Sequence, residues 1–268
     1  METWLVVLLA LVQALTEFLP VSSSGHLGLA GFFLGLPYQG LTFDLALHLG
    51  TLLALIAYFW KDLWRLARAV LAIRSLRELD SVQRLGVGIA LSTIPAAIVG
   101  ASMPDAFTES LRTPVLIAIN LIVFGVLLGL ADRLGGGHRG EGAITWRDAL
   151  LIGAAQALAL VPGTSRSGIT MTAGLALGLD RGTAARYSFL MAVPITILAV
   201  GHGGLQLAQS SEALDLGVLA LGVAVSALAG IVVIHVFLRI LRQVGTLPFV
   251  AYRIGLGLLV LGLVAFRS

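Results

Sequence analysis

The sequence predicts an all-α integral membrane protein with an inverted-topology repeat, and three observations support this fold class. First, 58% of the 268 residues are hydrophobic and only 12% are charged, whereas soluble domains carry about 25% charged residues. Second, the apolar residues form continuous runs such as 114–131, which is long enough to cross a bilayer. Third, one stretch of the chain repeats another. The continuous runs exclude a β-barrel, whose strands alternate in polarity.

The composition also excludes several classes of function. The chain has no cysteine, so disulfides and thiolate metal sites are excluded. Its net charge is +3. The basic residues lie in short loops between apolar runs, and a role in orienting the protein in the membrane accounts for this placement better than binding of nucleic acid does. We therefore predict membrane lipids as its surroundings, no nucleic-acid partner and no organic cofactor.

A displacement of 143 residues reveals the repeat. It aligns 13–36 with 156–179, and 11 of these 24 positions are identical. The identities include Gln-Ala-Leu, beginning at Gln13, and Ser-x-Ser-Gly, beginning at Ser22. Because these motifs recur at one displacement without a gap, we predict two related halves.

Each copy of the repeat has two apolar arms around a polar break. The arms are 3–19 and 27–36 in the first copy and 149–161 and 169–179 in the second. Most arms reach only about 15 to 20 Å as helices, so they predict re-entrant hairpins. The first arm is longer, and a helix that crosses the membrane stays an alternative for it. Broken helices inside a membrane are tolerated where they line a cavity or are buried in protein, so the two breaks predict a site.

Six further apolar segments predict transmembrane helices. Each half, 1–133 or 146–268, then has one re-entrant hairpin plus three transmembrane helices, within a single membrane domain of 1–268. An odd number of crossings per half places the second half upside down relative to the first, which defines an inverted repeat. The six segments are 42–60, 85–103, 114–131, 187–208, 216–238 and 247–266.

The basic residues predict the orientation. In this topology fourteen of them fall on one side, and only Arg112 and Arg267 fall on the other. Lys and Arg concentrate on the cytoplasmic side, so we predict that both termini lie outside and that the first hairpin enters from outside. The fourteen are Lys61, Arg65, Arg68, Arg74, Arg77, Arg84, Arg133, Arg139, Arg147, Arg181, Arg186, Arg239, Arg242 and Arg253.

The first break combines ionisable groups with hydroxyls. Gln13 and Glu17 are four residues apart and share one helical face, and a carboxylate at this depth predicts a functional site. Free N–H groups at the start of the following arm favour an anion. The polar residues that begin this arm are Ser22, Ser23, Ser24 and His26.

The second break repeats this design and adds a guanidinium, which suits bidentate contact with phosphate oxygens. Together the two breaks predict a phosphate-handling site. Because Ser23 aligns with Arg166 under the displacement, we predict that these side chains lie within about 10 Å, close enough to share one phosphate. The polar residues of the second break are Thr164, Ser165, Arg166, Ser167 and Thr170.

Structural roles compete with the functional ones at several positions. Ser22, Ser24 and Ser167 also suit helix capping or close packing. Asp44 and His48, four residues apart, suit an interfacial position at an outer helix end.

The two motifs resemble the signatures of the undecaprenyl-diphosphate phosphatase family, the bacitracin-resistance type. They read Gln-Ala-Leu-Thr-Glu-Phe-Leu-Pro-Val-Ser-Ser-Ser-Gly-His over 13–26 and Pro-Gly-Thr-Ser-Arg-Ser-Gly-Ile-Thr over 162–170. Length and spans match as well, so the resemblance covers the whole chain. It implies a bacterial plasma-membrane hydrolase that converts undecaprenyl diphosphate to undecaprenyl phosphate and inorganic phosphate, recycling the lipid carrier of cell-wall synthesis and lowering sensitivity to bacitracin.

The resemblance also implies site residues. Two nucleophile assignments stay open: His26 attacks or activates water, or Ser23 attacks while His26 removes its proton. Glu17 either orients His26 or helps to hold the divalent cation, Mg²⁺ or Ca²⁺, that the family implies, with the lipid phosphates supplying further ligands. Gln13 takes the alternative that the family permits at a Glu position, so Glu17 carries the acid function alone. The implicated residues are Glu17, Ser23, His26, Ser165, Arg166 and Thr170, with Arg166, Ser165 and Thr170 holding the phosphates.

A lipid-phosphate or small-anion transporter is the alternative function, because inverted repeats with broken helices are typical of transporters. A transporter needs no nucleophile. In the second copy Glu17 is replaced by Leu160 and His26 by Ile169. This asymmetry favours catalysis.

Overall fold

The computed structural model describes residues 1–35, 39–103, 110–135, 137–209 and 215–267, and these residues are almost entirely helical, which confirms the all-α prediction. Position 36, the predicted end of the second arm, and Ser268, the predicted outer terminus, lie outside the described residues. The helices are α1 (Thr3–Phe18), α2 (Ser23–Leu34), α3 (Leu41–Tyr58), α4 (Trp60–Leu71), α5 (Ser81–Ser102), α6 (Pro114–Gly135), α7 (Trp146–Ala157), α8 (Arg166–Ala176), α9 (Arg181–Gln209), α10 (Leu216–Val244) and α11 (Leu247–Arg267).

Six of the described helices are long and apolar enough to cross a membrane. They are α3, α5, α6, α9, α10 and α11, so the six predicted transmembrane segments are confirmed in number and order. Helix α1 has 16 residues and reaches about 24 Å. It is shorter than these six helices, as are α2, α7 and α8.

The short helices form the two predicted pairs, α1 with α2 and α7 with α8. Residues 19–22 separate the first pair, and 158–165 separate the second, beginning with a 3₁₀ turn at Leu158–Leu160. Both breaks therefore place the start of a helix beside irregular backbone, where the first N–H groups have no partner within the helix.

The most extensive helix contacts join α3 with α10, α6 with α11, α5 with α7 and α1 with α10. Glycines permit two of these contacts. A Cβ at Gly50 would lie 2.5 Å from the Val223 carbonyl oxygen, and a Cβ at Gly153 would lie 2.5 Å from the Ser92 carbonyl oxygen. The helices approach backbone to backbone at these points, and the contact at Gly153 packs the short helix α7 against α5.

Helix α4 is an element that the sequence analysis missed, because its basic residues were assigned to a loop. It begins immediately after α3 and is strongly amphipathic. Leu66 is buried and packs near Gly86 of α5, whereas Trp60, Trp64 and Lys61 are exposed. This pattern is typical of a helix that lies along a membrane surface.

Candidate active site

The two breaks share an unusual backbone conformation. Ser22 and Ser165 have φ of 76° and 74°, and they are the only described residues other than glycine with positive φ. Each serine caps the following helix by accepting a hydrogen bond from a backbone N–H, at 3.2 Å from Gly25 and at 3.1 Å from Gly168. The two serines are 143 residues apart, so the repeat extends to strained backbone geometry, which concentrates at functional sites.

Glu17 is the centre of the side-chain contacts between the breaks. Its carboxylate accepts a hydrogen bond from Ser23 Oγ at 2.6 Å and another from Arg166 Nη2 at 3.0 Å. Gln13 Nε2 donates to the same carboxylate at 3.3 Å. The Glu17 and Arg166 side chains are only 10% and 14% exposed, so their attraction is stronger than that of a surface pair. The two hairpins meet at this carboxylate.

The predicted proximity of Ser23 and Arg166 is confirmed. Both side chains bind one carboxylate, so their tips lie well within the separation of about 10 Å that one shared phosphate permits. The contact passes through Glu17, so the two groups are bridged rather than separated by open space.

His26 does not join this cluster. Its Nδ1 lies 2.7 Å from the Ser22 carbonyl oxygen and its Nε2 lies 2.7 Å from Tyr252 Oη. The two rings stack with centroids 5.6 Å apart. The expected contacts of His26 with Glu17 and with Ser23 are therefore not formed, because both ring nitrogens are engaged elsewhere and Glu17 takes the Ser23 hydroxyl.

The remaining hydroxyls of the breaks bond mainly within the protein framework, beyond the capping roles of Ser22 and Ser165. Ser24 Oγ lies 3.4 Å from Ser22 Oγ. Ser167 Oγ donates to the Leu19 carbonyl at 3.0 Å, and so joins the two breaks. Thr170 Oγ1 donates to the carbonyl of Arg166 at 2.8 Å. The capping and packing alternative therefore fits these serines.

His48 lies beside Glu17, although its sequence position suited the membrane–water interface. Its Nε2 lies 3.6 Å from a Glu17 carboxylate oxygen, and its Nδ1 lies 2.8 Å from the Asp44 carbonyl oxygen. Asp44 itself is buried and forms an ion pair with Arg112 at 3.1 Å. The available signal was an imidazole inside an apolar span, where a polar group predicts function.

Arg253 is a second residue that the sequence analysis misplaced, since it was counted among the cytoplasmic loops. It lies within α11 and is fully buried. Its guanidinium donates to backbone carbonyls in both breaks, at Pro20 and at Gly163. A lone arginine inside the apolar run 247–266 was the signal that could have identified it.

Three buried side-chain oxygens in or beside the breaks have no hydrogen-bond partner within the part of the chain that the structure describes. They are Thr164 Oγ1, Gln13 Oε1 and Gln156 Oε1, and the two glutamines occupy matching positions in the repeat. Thr164 is fully buried and adjoins Ser165 in the second break. Buried polar groups are nearly always hydrogen-bonded, so these three oxygens are candidate contacts for a bound water or ligand.

The residues around Glu17 do not form a cation site by themselves. No group of three His, Cys, Asp or Glu side chains that could hold a metal is found in the described ranges. The Glu17 oxygens are already bonded to Arg166 and Ser23. Mg²⁺ and Ca²⁺ take about six oxygen ligands, so the chain's own donors would not complete the coordination of such an ion without the phosphates of a substrate.

Comparison with known proteins assigns the chain to a family. The family model described as bacitracin resistance protein BacA matches residues 6–259. An undecaprenyl-diphosphatase of Nitrosococcus oceani is 49% identical over 251 residues, which cover 94% of this chain and 95% of the relative. An undecaprenyl-diphosphatase 2 of Stutzerimonas stutzeri is 48% identical over 259 residues, 96% of each chain. An undecaprenyl-diphosphatase of Teredinibacter turnerae is 47% identical over 254 residues, 95% of this chain and 96% of the relative. The chain therefore belongs to the bacitracin resistance protein BacA family.

Proposed function

We propose that this chain hydrolyses undecaprenyl diphosphate to undecaprenyl phosphate and inorganic phosphate. The observation that carries the proposal is the contact of Glu17 with both Ser23 and Arg166. A hydroxyl, a proton acceptor and a guanidinium in one place are the groups that cleavage of a phosphoanhydride needs. The names of the three relatives support the same substrate. The product is the lipid carrier of cell-wall synthesis, and its recycling lowers sensitivity to bacitracin.

The contacts favour Ser23 as the nucleophile and Glu17, in place of His26, as its base. Ser23 Oγ attacks the terminal phosphorus, its proton passes to Glu17, and the bond from that phosphorus to the bridging oxygen breaks, so that undecaprenyl phosphate leaves. Water then attacks the phosphoserine. Glu17 returns its proton to the departing Ser23 Oγ and takes one from the water, so that inorganic phosphate is released, the hydroxyl is restored and the last proton passes to solvent. A proton acceptor 2.6 Å from Ser23 Oγ satisfies the distance that proton transfer requires.

Arg166 is assigned to the terminal phosphate. Among the described residues, Glu17 and the Ser188 carbonyl engage two of its N–H groups, and a guanidinium has five. The others are assigned to phosphate oxygens, where they offset the charge that develops in phosphoryl transfer. Pairing with Arg166 also reduces the repulsion between the Glu17 carboxylate and an anionic substrate.

The hydroxyls of the breaks receive a supporting role in this proposal. Ser22 and Ser165 cap the two helices, and Ser167 joins the breaks. Thr170 Oγ1 lies 2.7 Å from Ser188 Oγ, and the carbonyl of Ser188 accepts a hydrogen bond from Arg166. We assign these residues to holding the nucleophile, Ser23, and the phosphate clamp, Arg166, in place. No step of the reaction passes through a metal ion.

Release of phosphate from purified protein in detergent tests the function. No membrane then separates two compartments, so transport produces no signal. We expect the wild-type chain to release one phosphate per undecaprenyl diphosphate. Binding of the lipid without phosphate release would contradict hydrolysis and favour the transporter alternative.

We also propose an inverted repeat in the bacterial plasma membrane, with both termini and the opening of the site outside. The repeat aligns α1 with α7, and the order of the spans pairs α5 with α10. The contact of α1 with α10 then corresponds to that of α7 with α5, and both are extensive. This correspondence supports two halves related by a two-fold axis.

Cysteine labelling tests this topology, since the chain has no cysteine of its own. Arg74→Cys should react only with reagents inside, and Ser268→Cys with reagents outside. Labelling of position 268 from the inside would contradict the inverted repeat. Hydrolysis of lipid confined to the inner leaflet of oriented vesicles would contradict the outward opening.

A further inference from the structure

Arg253 has the contacts of a group that holds the two breaks in register. Its side chain is fully buried within α11, inside the apolar run 247–266. A guanidinium stays protonated and offers five donors in a rigid fork. We propose that Arg253 is a positioning residue for the proposed hydrolysis, acting through the backbone of both breaks.

The two breaks contribute equivalent carbonyls to this guanidinium. Nη1 donates to the Pro20 carbonyl at 2.9 Å, and Nη2 donates to the Gly163 carbonyl at 2.9 Å. Pro20 and Gly163 are 143 residues apart and occupy matching positions in the repeat. Nη2 also reaches the Thr164 carbonyl at 2.9 Å. One side chain therefore ties together two segments that the repeat relates.

Both carbonyls are close in sequence to the groups that meet at Glu17. Ser23 follows Pro20 by three residues, and Arg166 follows Gly163 by three residues. A shift of either break relative to Arg253 therefore moves the nucleophile relative to the clamp. Misplacement of reacting groups by about 1 Å costs on the order of 100-fold in rate.

The guanidinium is itself anchored to α6. Nε donates to the Leu121 carbonyl at 3.2 Å, and Nη2 lies 3.3 Å from the Asn120 carbonyl oxygen. Asn120 Nδ2 in turn donates to the Pro162 carbonyl at 2.8 Å. A Cβ at Gly168 would lie 2.8 Å from Nη1, so glycine at this position leaves room for the guanidinium. Helices α6 and α11 are thus hydrogen-bonded to the breaks and to each other through Arg253 and Asn120.

Lysine cannot replace this arginine, because an ammonium carries the charge without the planar fork. We expect Arg253→Lys and Arg253→Gln to lower kcat about 100-fold, while KM changes less than about threefold. Arg267→Gln is the matched control. It removes the same charge from the same helix, and its guanidinium donates to one carbonyl, that of Phe32, at the exposed end of α11. Its kcat should stay within about twofold of wild type.

Hydrogen–deuterium exchange supplies a readout that does not depend on catalysis. In both Arg253 variants, amides of 19–26 and 162–170 should exchange about tenfold faster, while amides of α10 keep their wild-type rates. The kinetic arm rests on the proposed function, whereas the exchange arm stands alone. If wild-type protein released no phosphate, hydrolysis would fail and the exchange arm would still decide the role of Arg253.

Four results would overturn the proposal. Three of them are wild-type exchange in both breaks, near-normal kcat in Arg253→Lys, and equally accelerated exchange in the breaks and in α10. Failure of both variants to accumulate as folded protein would assign Arg253 to the general stability of the fold and would also overturn it.

Discussion

The first and second breaks have the same backbone device but different chemistry. Each has a serine with positive φ that caps the following helix. Around this frame the first break carries Glu17 and Ser23, and the second carries Arg166. The position of Glu17 is Leu160 in the second copy. In the proposed hydrolysis, this shared frame carries the nucleophile Ser23 in the first copy and the phosphate-binding Arg166 in the second.

Removal of the nucleophile is expected to give the largest effect. Ser23→Ala should lower kcat at least about 10⁴-fold, because no other described hydroxyl donates to Glu17. The measurement is phosphate release in detergent, with Ser102→Ala, an exposed serine bonded to its own helix, as the control. Activity within tenfold of wild type would assign the attack to another group and remove the chemical difference between the breaks.

The clamp is expected to depend on geometry as well as charge. Arg166→Lys should lower kcat by about 10² to 10³, nearly as much as Arg166→Ala, because an ammonium does not reproduce a bidentate fork on a diphosphate. The exposed Arg65 provides the control substitution, Arg65→Lys. Near-normal turnover of Arg166→Lys would mean that charge alone suffices in the second break.

Substitution of His48, which lies near Glu17, should lower activity less than substitution of Ser23 or Arg166. His48 Nε2 lies 3.6 Å from the Glu17 carboxylate, beyond hydrogen-bond distance. The His48 side chain is 32% exposed, so solvent screens this pair, and its contribution is up to about 1 kcal/mol. His48→Gln should therefore lower kcat/KM by up to about fivefold, and His202→Gln, at an exposed histidine, should leave it unchanged. A loss of 100-fold or more would place His48 among the reacting groups.

The smallest expected effect concerns stability outside the membrane-spanning helices. Asp148 accepts hydrogen bonds from Arg139 and from the N–H and Oγ1 of Thr145 at the start of α7, whereas α1 has no side-chain cap. Burial raises the pKa of Asp148, but these hydrogen bonds outweigh it and hold the pKa below the usual value. Asp148→Asn should lower Tm by about 2 to 4 °C at neutral pH, with activity nearly unchanged.

The sign of the pH dependence follows from the lowered pKa. The carboxylate stabilises the fold at pH values above the aspartate's ordinary pKa, and this contribution is lost as pH falls through the depressed value. Melting curves of wild type and Asp148→Asn should therefore converge in acid. A constant difference in Tm down to acidic pH would contradict the role of ionised Asp148.

The sequence predicted those features that depend on local pattern. Run length located the six spans, and polar groups in an apolar context located Glu17, Ser23 and Arg166. Helix α4 was missed because its basic residues also suit a loop. The partner of His26 could not be predicted, since Tyr252 is 226 residues away and its contact depends on tertiary packing.

Arg253 shows the same limit more clearly. Its proposed role depends on carbonyls of two breaks and one helix meeting at one point. Every residue has a backbone carbonyl, so the sequence does not show which carbonyls meet. Sequence patterns therefore identify candidate reactive side chains more readily than side chains that hold the backbone in place.

Rapid-quench trapping of the phosphorylated protein tests the central claim most directly. Wild-type protein is mixed with undecaprenyl diphosphate labelled in its terminal phosphate, quenched within the first turnover and digested for mass spectrometry. Transfer to Ser23 predicts an acid-stable phosphoserine in the peptide that contains positions 22–24, absent from Ser23→Ala. Acid-labile label on His26, or released phosphate in the first turnover with no label on the protein, would contradict the account.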